Sequence, residues 1–265
     1  MCGVIGLIGA TGERVAPSIY DALIAIQHRG QDAAGISTYD GHFRLAKGAG
    51  LVQDIFTTEM MDRLSGHVGV GHVRYPTFGS GTAEDAQPFI LHYPFGISMV
   101  HNGQVANFRP LVEELKRDAR RIVNSGCDVE IILHVFADEL SKVVPSGDLG
   151  PSFDHICAAV EGVHRRVVGA YSVVTYVRGL GLVGFRDPYG IRPLTYGERW
   201  TESGERVAML ASESVALDLV GIREKQELDA GEVLLVEVER PDGSWVAGAE
   251  RAVHRRVLPT RIEKR

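Results

Sequence analysis

The chain reads as a layered α+β domain. Three observations predict this: strand-like segments rich in Gly, Val and Ile recur through residues 2–101, helical patterns dominate 107–164, and short strands return over 170–247. Strands, then helices, then strands argue for sheets covered by helices, and against the strict βα alternation of a dinucleotide-binding fold. With 265 residues the chain can bury a sizeable core. An apolar content of 45% and a charged content of 23% exclude a disordered chain. No apolar run approaches the ~18–20 residues that span a membrane, so a soluble protein is expected.

Residues 2–9 alternate small and β-branched side chains and predict a buried strand. Residues 16–28 predict a helix with Ile19, Leu23 and Ile26 on one face and Gly30 as a left-handed cap. Residues 33–38 and 42–47 predict a hairpin turning at Asp40-Gly41. Strands at 67–75 and 96–101 bracket a loop rich in Gly, Ser and Thr. Residues 107–123 and 128–140 read as a helical hairpin broken at Asn124-Ser125-Gly126. A helix at 153–164 leads to strands at 170–177, 181–185, 193–196 and 206–211, a helix at 212–219, and strands at 233–239 and 244–247. One domain is expected over 1–250. Residues 251–265 carry six Lys or Arg against Glu263 alone and read as a basic tail, either solvated or docked to an acidic partner.

The balance of 28 basic and 34 acidic residues, net −6, gives no sign of a nucleic-acid surface and favours a small or polar substrate. Cys2, Cys127 and Cys157 cannot all pair within the chain and form no CxxC pattern, which fits a reducing cytoplasm. The N-terminus lacks the basic region of a signal peptide. His28, His72 and His101 lack the close helical spacing of a metal site, so neither metal nor cofactor is assigned.

Chemistry is concentrated near Cys2. Removal of Met1 leaves a residue carrying both a thiol and a free α-amine, and an amine titrating near ~7.7–8.0 can take the thiol proton without a histidine. The alternative is a buried structural cysteine. Arg74 offers a fork of donors suited to an α-carboxylate, or equally to an intramolecular ion pair. Asp128 opens a predicted helix, where it can meet an α-ammonium or serve as an N-cap. Asn102-Gly103 follows a strand as either a turn or a pair of oxyanion donors, the glycine letting its N–H approach a ligand. Arg29-Gly30 ends a helix near Cys2.

The segments Met1-Cys2-Gly3-Val4-Ile5-Gly6, His28-Arg29-Gly30-Gln31-Asp32-Ala33-Ala34-Gly35, Gly71-His72-Val73-Arg74-Tyr75-Pro76-Thr77 and His101-Asn102-Gly103 occur in an order that resembles the class II, N-terminal-nucleophile glutamine amidotransferases. Phe185-Arg186-Asp187-Pro188-Tyr189-Gly190-Ile191-Arg192-Pro193-Leu194 and residues 211–218 are most similar to the glutaminase domain of glutamine phosphoribosylpyrophosphate amidotransferases. The likeness runs from Met1 to about Val238. It implies a four-layer α-β-β-α sandwich of two antiparallel sheets, the N-terminal nucleophile hydrolase fold. It also implies Cys2 as nucleophile, Asn102 and Gly103 as oxyanion donors, and Arg74 and Asp128 as the partners of the glutamine carboxylate and ammonium. Arg29 and Gly30 would form the wall beside Cys2, with Tyr75 and Thr77 leading into a loop that closes over substrate.

By the same resemblance the expected activity is hydrolysis of L-glutamine to glutamate and ammonia. The second, phosphoribosylpyrophosphate-binding domain of the resembled enzymes has no counterpart motif here, nor is there a GxxxxGK[ST] cradle or a Ser-Gly-Gly-x-Asp-Ser segment. A separate acceptor synthase or transferase subunit is therefore expected, and a homo-oligomer stays open. Two other readings are the glutaminase half of a split or truncated amidophosphoribosyltransferase and a non-catalytic glutamine-sensing module, although a sensor needs no nucleophile. A nucleophile hydrolase acting on another amide is a further one, disfavoured by Arg74 and Asp128.

Overall fold

The computed structural model describes residues 1–75 and 83–259, which build two sheets in which every strand pairing is antiparallel. The seven-stranded sheet runs in the order β11 (Lys225–Glu227), β9 (Thr195–Trp200), β10 (Arg206–Ala211), β1 (Gly3–Ile8), β4 (Val68–Arg74), β2 (Ala33–Tyr39) and β3 (Phe43–Ala49). The six-stranded sheet runs β13 (Val253–Val257), β12 (Glu232–Glu237), β8 (Gly181–Arg186), β7 (Gly169–Val177), β6 (Ile97–Val105) and β5 (Phe89–Leu91).

Alternation along each strand decides which core it feeds. Val4 and Ile8 of β1 join Val100, Val174, Leu182 and Leu234 in a core between the sheets. Ile5 and Leu7 point the other way and pack with helices α1 (Ala16–Ala25) and α7 (Ser214–Leu219). Gly6 lets the sheets close, since a Cβ there would lie 2.4 Å from Val174 Cγ1. On the far side of the six-stranded sheet, α4 (Phe108–Asp118), α5 (Asp128–Val143) and α6 (Phe153–Arg166) bury a third apolar cluster. The layers are therefore α-β-β-α, as expected from the motifs. Among the described residues no helix is long and apolar enough to cross a membrane.

Several local expectations are overturned. Helix α1 stops at Ala25 and a 3₁₀ turn, Gln27–Arg29, follows; Gly30 is extended at φ −166°, not left-handed. Its glycine answers a close approach, because a Cβ would sit 2.5 Å from the Arg74 carbonyl carbon. Asn102 and Gly103 lie inside β6, which excludes the turn and continues the strand to Val105. Helix α4 ends at Asp118, two residues before Arg120 adopts φ +52°. Residues 244–247 form only an isolated bridge, Glu239 to Trp245, because Trp245 turns its ring onto Tyr39 and His67, with centroids 5.8 and 4.3 Å away.

Residues 251–265 do not begin as a solvated tail. Arg251 is 1% exposed and donates from Nη1 to Gly9 O and Arg206 O at 2.6 and 2.9 Å. Strand β13 pairs with β12, its Arg255 and Arg256 meet Glu232 and Asp154, and Leu258 is buried in the helix-covered core. Residues 260–265 lie outside the described residues.

Candidate active site

At the end of the sandwich where β1 starts, apolar positions between the sheets give way to polar ones. Along β4, Val68 and Val70 are followed on the same face by His72 and Arg74; along β6, Val100 is followed by Asn102. The registers Gly3 to Val73 and Val4 to His72 bring Cys2 beside the Arg74 end of β4. Across the gap the His72 ring faces the His101 backbone without reaching hydrogen-bond geometry, so the Cys2 end of one sheet meets the Asn102 end of the other.

Cys2 is buried, and its thiol donates to the Tyr75 carbonyl over 3.6 Å. The main chain of Cys2 is gripped by Arg29, whose Nε donates to Cys2 O at 2.9 Å while Nη1 donates to Glu213 Oε1 at 2.6 Å. His28 meets the same Glu213 oxygen at 3.0 Å. Burial works against the Glu213 charge, but the bonds from Arg29 and His28 hold its carboxyl below the usual range. Burial pushes the Cys2 thiol above its ordinary value, while the chain N-terminus, Arg74 and Arg29 pull it part of the way back. Such a thiol needs a base to become a nucleophile. Met1 is 58% exposed, with its sulfur 3.1 Å from Arg192 Nη1.

Arg74 is buried and lies 3.6 Å from Asp85. Asp85 also accepts from Gly126 N at 3.2 Å, just before α5. Asp128 is the first residue of α5, but Cys127 holds the N-cap position, so the N-cap alternative does not apply. Its Oδ2 instead accepts from Val105 N at 2.8 Å, tying α5 to β6. Burial raises the Asp128 carboxyl above its ordinary value, against the Val105 bond and the Arg74 charge. With Gln104, Val105, Phe108 and Arg109 it lines a cavity of about 290 Å³. A cation and a carboxylate within each other's field suit the two charges of an α-amino acid.

Asn102 is 1% exposed, and its Nδ2 finds no hydrogen-bond partner among the described residues. A buried amide donor left unpaired is costly unless a ligand or water satisfies it. Gly103 has a different reason for being glycine than the one expected: a Cβ there would lie 2.0 Å from Ala170 O on β7, so the neighbouring strand, not a ligand, forbids a side chain. Gly30 likewise backs onto the Arg74 main chain. Tyr75 contributes its carbonyl while its side chain is 54% exposed, and Thr77 with the rest of 76–82 lies outside the described residues. Among the described residues no three His, Cys, Asp or Glu side chains could hold a metal ion.

Three participants were not singled out from the sequence. Glu213 sits in a motif read as scaffold, and only the fold brings it 184 positions back to Arg29. Asp85 and Gln87 follow the Gly-Ser-Thr loop with no periodic signal. Gln87 closes the edge of β6 where β5 has ended, accepting from His101 N at 2.7 Å.

A family model described as a glutamine amidotransferase domain matches residues 72–218, more than half of the chain. The amidophosphoribosyltransferase of Pseudomonas aeruginosa is 47% identical over 240 residues, covering 90% of this chain and 47% of that protein. The chain thus spans about half the length of the curated relatives it matches. Among solved structures, the B. subtilis glutamine phosphoribosylpyrophosphate amidotransferase complexed with ADP and GMP aligns at a TM-score of 0.72 and 27% identity, over 96% of this chain and 49% of that one. A glutamine aminotransferase class-II domain protein from Silicibacter pomeroyi aligns at 0.54 and 16% identity, over 97% and 100% of the two chains, which speaks to fold alone.

Proposed function

The chain belongs to the glutamine amidotransferase domain family, and from that premise we propose that it hydrolyses L-glutamine to glutamate and ammonia through a thioester on Cys2. The carrying observation is the buried Cys2 at the mouth of a polar inter-sheet end that also holds Arg74 and Asn102. Removal of the exposed Met1 frees the Cys2 amine. That amine takes the Sγ proton, directly or through one water, and sulfur attacks the side-chain carbonyl carbon of glutamine. Arg74 holds the α-carboxylate and Asp128 the α-ammonium.

Negative charge moves to the carbonyl oxygen, where Asn102 Nδ2 and the Gly103 N–H donate to it; loss of one such donor typically lowers kcat about 10²- to 10³-fold. Collapse expels ammonia, which takes the proton back from the α-ammonium and leaves the thioester. Water then gives a proton to the same amine and attacks the thioester, releasing glutamate and the thiol. Burial that pushes the Cys2 thiol up supports this reading, since such a thiol ionises only with the help of a base. Cys2→Ala is expected to abolish ammonia release while glutamine binding, read by calorimetry, persists. Unchanged ammonia release from that variant contradicts the mechanism.

The amidophosphoribosyltransferase relatives favour one further step, delivery of the ammonia to a phosphoribosyl-transferring acceptor. The acceptor is supplied by a partner subunit or by further residues of the same polypeptide. The three free, buried cysteines suit a cytoplasmic setting. An assay for phosphoribosylamine with a candidate acceptor checks this reading, and production of free ammonia alone in its presence counts against it.

A further inference from the structure

The segment leaving the Gly-Ser-Thr loop crosses from one sheet to the other beside the site. On the seven-stranded side, Lys47 Nζ on β3 donates to Ala86 O at 2.6 Å. Gly35 on β2 lets the Gln87 carbonyl press in, since a Cβ at 35 would be 2.1 Å from Gln87 O. On the six-stranded side the Gln87 side chain, 2% exposed, replaces a missing strand. β5 pairs with β6 only as far as Phe89 to Met99. Two residues further along β6, Gln87 Oε1 accepts from His101 N at 2.7 Å, and its Nε2 reaches Cys127 Sγ at 3.7 Å and His101 Nδ1 at 3.4 Å.

The amide so held is that of His101, the residue immediately before Asn102. On its other edge β6 is fixed by β7, with Asn102 opposite Ser172. We infer that Gln87 is a positioning residue for catalysis: clamped from behind by Lys47 and Gly35, its amide fixes the β6 edge at His101 and so aims Asn102 Nδ2 at the oxyanion. This rests on the glutaminase reading above. An oxyanion donor acts on the transition state more than on bound glutamine, so a loosened Asn102 lowers kcat and leaves binding alone.

The test is Gln87→Met, of similar volume but without an acceptor, and Gln87→Asn, which draws the amide back by one methylene. Both are measured for kcat, for glutamine affinity in a Cys2→Ala background, and alone and combined with Asn102→Ala. A displacement of about 1 Å can cost about 10²-fold, so a fall in kcat of roughly 10- to 100-fold is expected with unchanged glutamine affinity. In the Asn102→Ala background the Gln87 substitution lowers kcat no further, because the group it aims is gone. Losses that multiply across the double variant, a kcat equal to the parent's, or a matching loss of affinity overturns the inference while leaving an active parent enzyme intact. A parent protein that releases no ammonia from glutamine overturns the functional reading itself, and this inference with it.

Discussion

Cys2 shows how far a single residue can be read without its surroundings. Its thiol, and the amine that removal of Met1 would free, can be read from position alone, but the burial that raises the thiol pKa is a property of the folded sheets. For Arg74 the sequence offers a carboxylate-binding fork or an intramolecular ion pair, and the structure shows the second, since Asp85 sits 3.6 Å away. Both uses are compatible if glutamine engages the arginine with Asp85 as its lateral support. Because the guanidinium fork matches a carboxylate in two places and an ammonium does not, Arg74→Lys should raise KM for glutamine about tenfold or more with a much smaller change in kcat. Steady-state ammonia release against glutamine concentration measures this, and a KM equal to the parent's removes Arg74 from substrate binding. Glu213 and Gln87 were invisible because their partners are remote in sequence or are backbone groups, which no side-chain pattern records.

At the level of elements, long segments with a clear period were recovered. The pattern at 128–140 became α5, which runs on to Val143, and the one at 170–177 became β7, which starts one residue earlier at Gly169. Short pieces carry too few positions for a period, so α2 (Val52–Ile55), α3 (Thr58–Arg63), β5 and β11 were missed. Glycine was the least transferable signal. Gly41 does sit at a positive φ of 98° in the β2–β3 turn, as the Asp-Gly pair predicts, but Gly30 and Gly103 are glycines because another backbone passes where a Cβ would stand. Those contacts join distant strands, and nothing local announces them.

Across the whole molecule, the active-site end depends on two sheets keeping register, and the C-terminal segment helps to hold them together. Arg251 binds carbonyls on β10 and just past β1 while β13 extends the opposite sheet, so residues 251–258 bridge both layers. A run of basic residues looked like a solvated tail because its acidic partners, Glu232 and Asp154, lie on other elements. Ending the chain at residue 250 should destabilise it by at least about 3 kcal/mol, from Leu258 burial and the Arg251 bonds. For a chain of this size that lowers Tm by roughly 5 °C or more in a thermal melt. An unchanged Tm returns the segment to the status of a tail.

All of the proposed chemistry depends on the α-amine of Cys2 being free to act as its base, and intact-mass spectrometry of the fully active protein, paired with its rate of ammonia release from glutamine, tests that most directly. The mass should correspond to a chain beginning at Cys2, with any fraction retaining Met1 inactive. A fully active protein that keeps its Met1 contradicts the account.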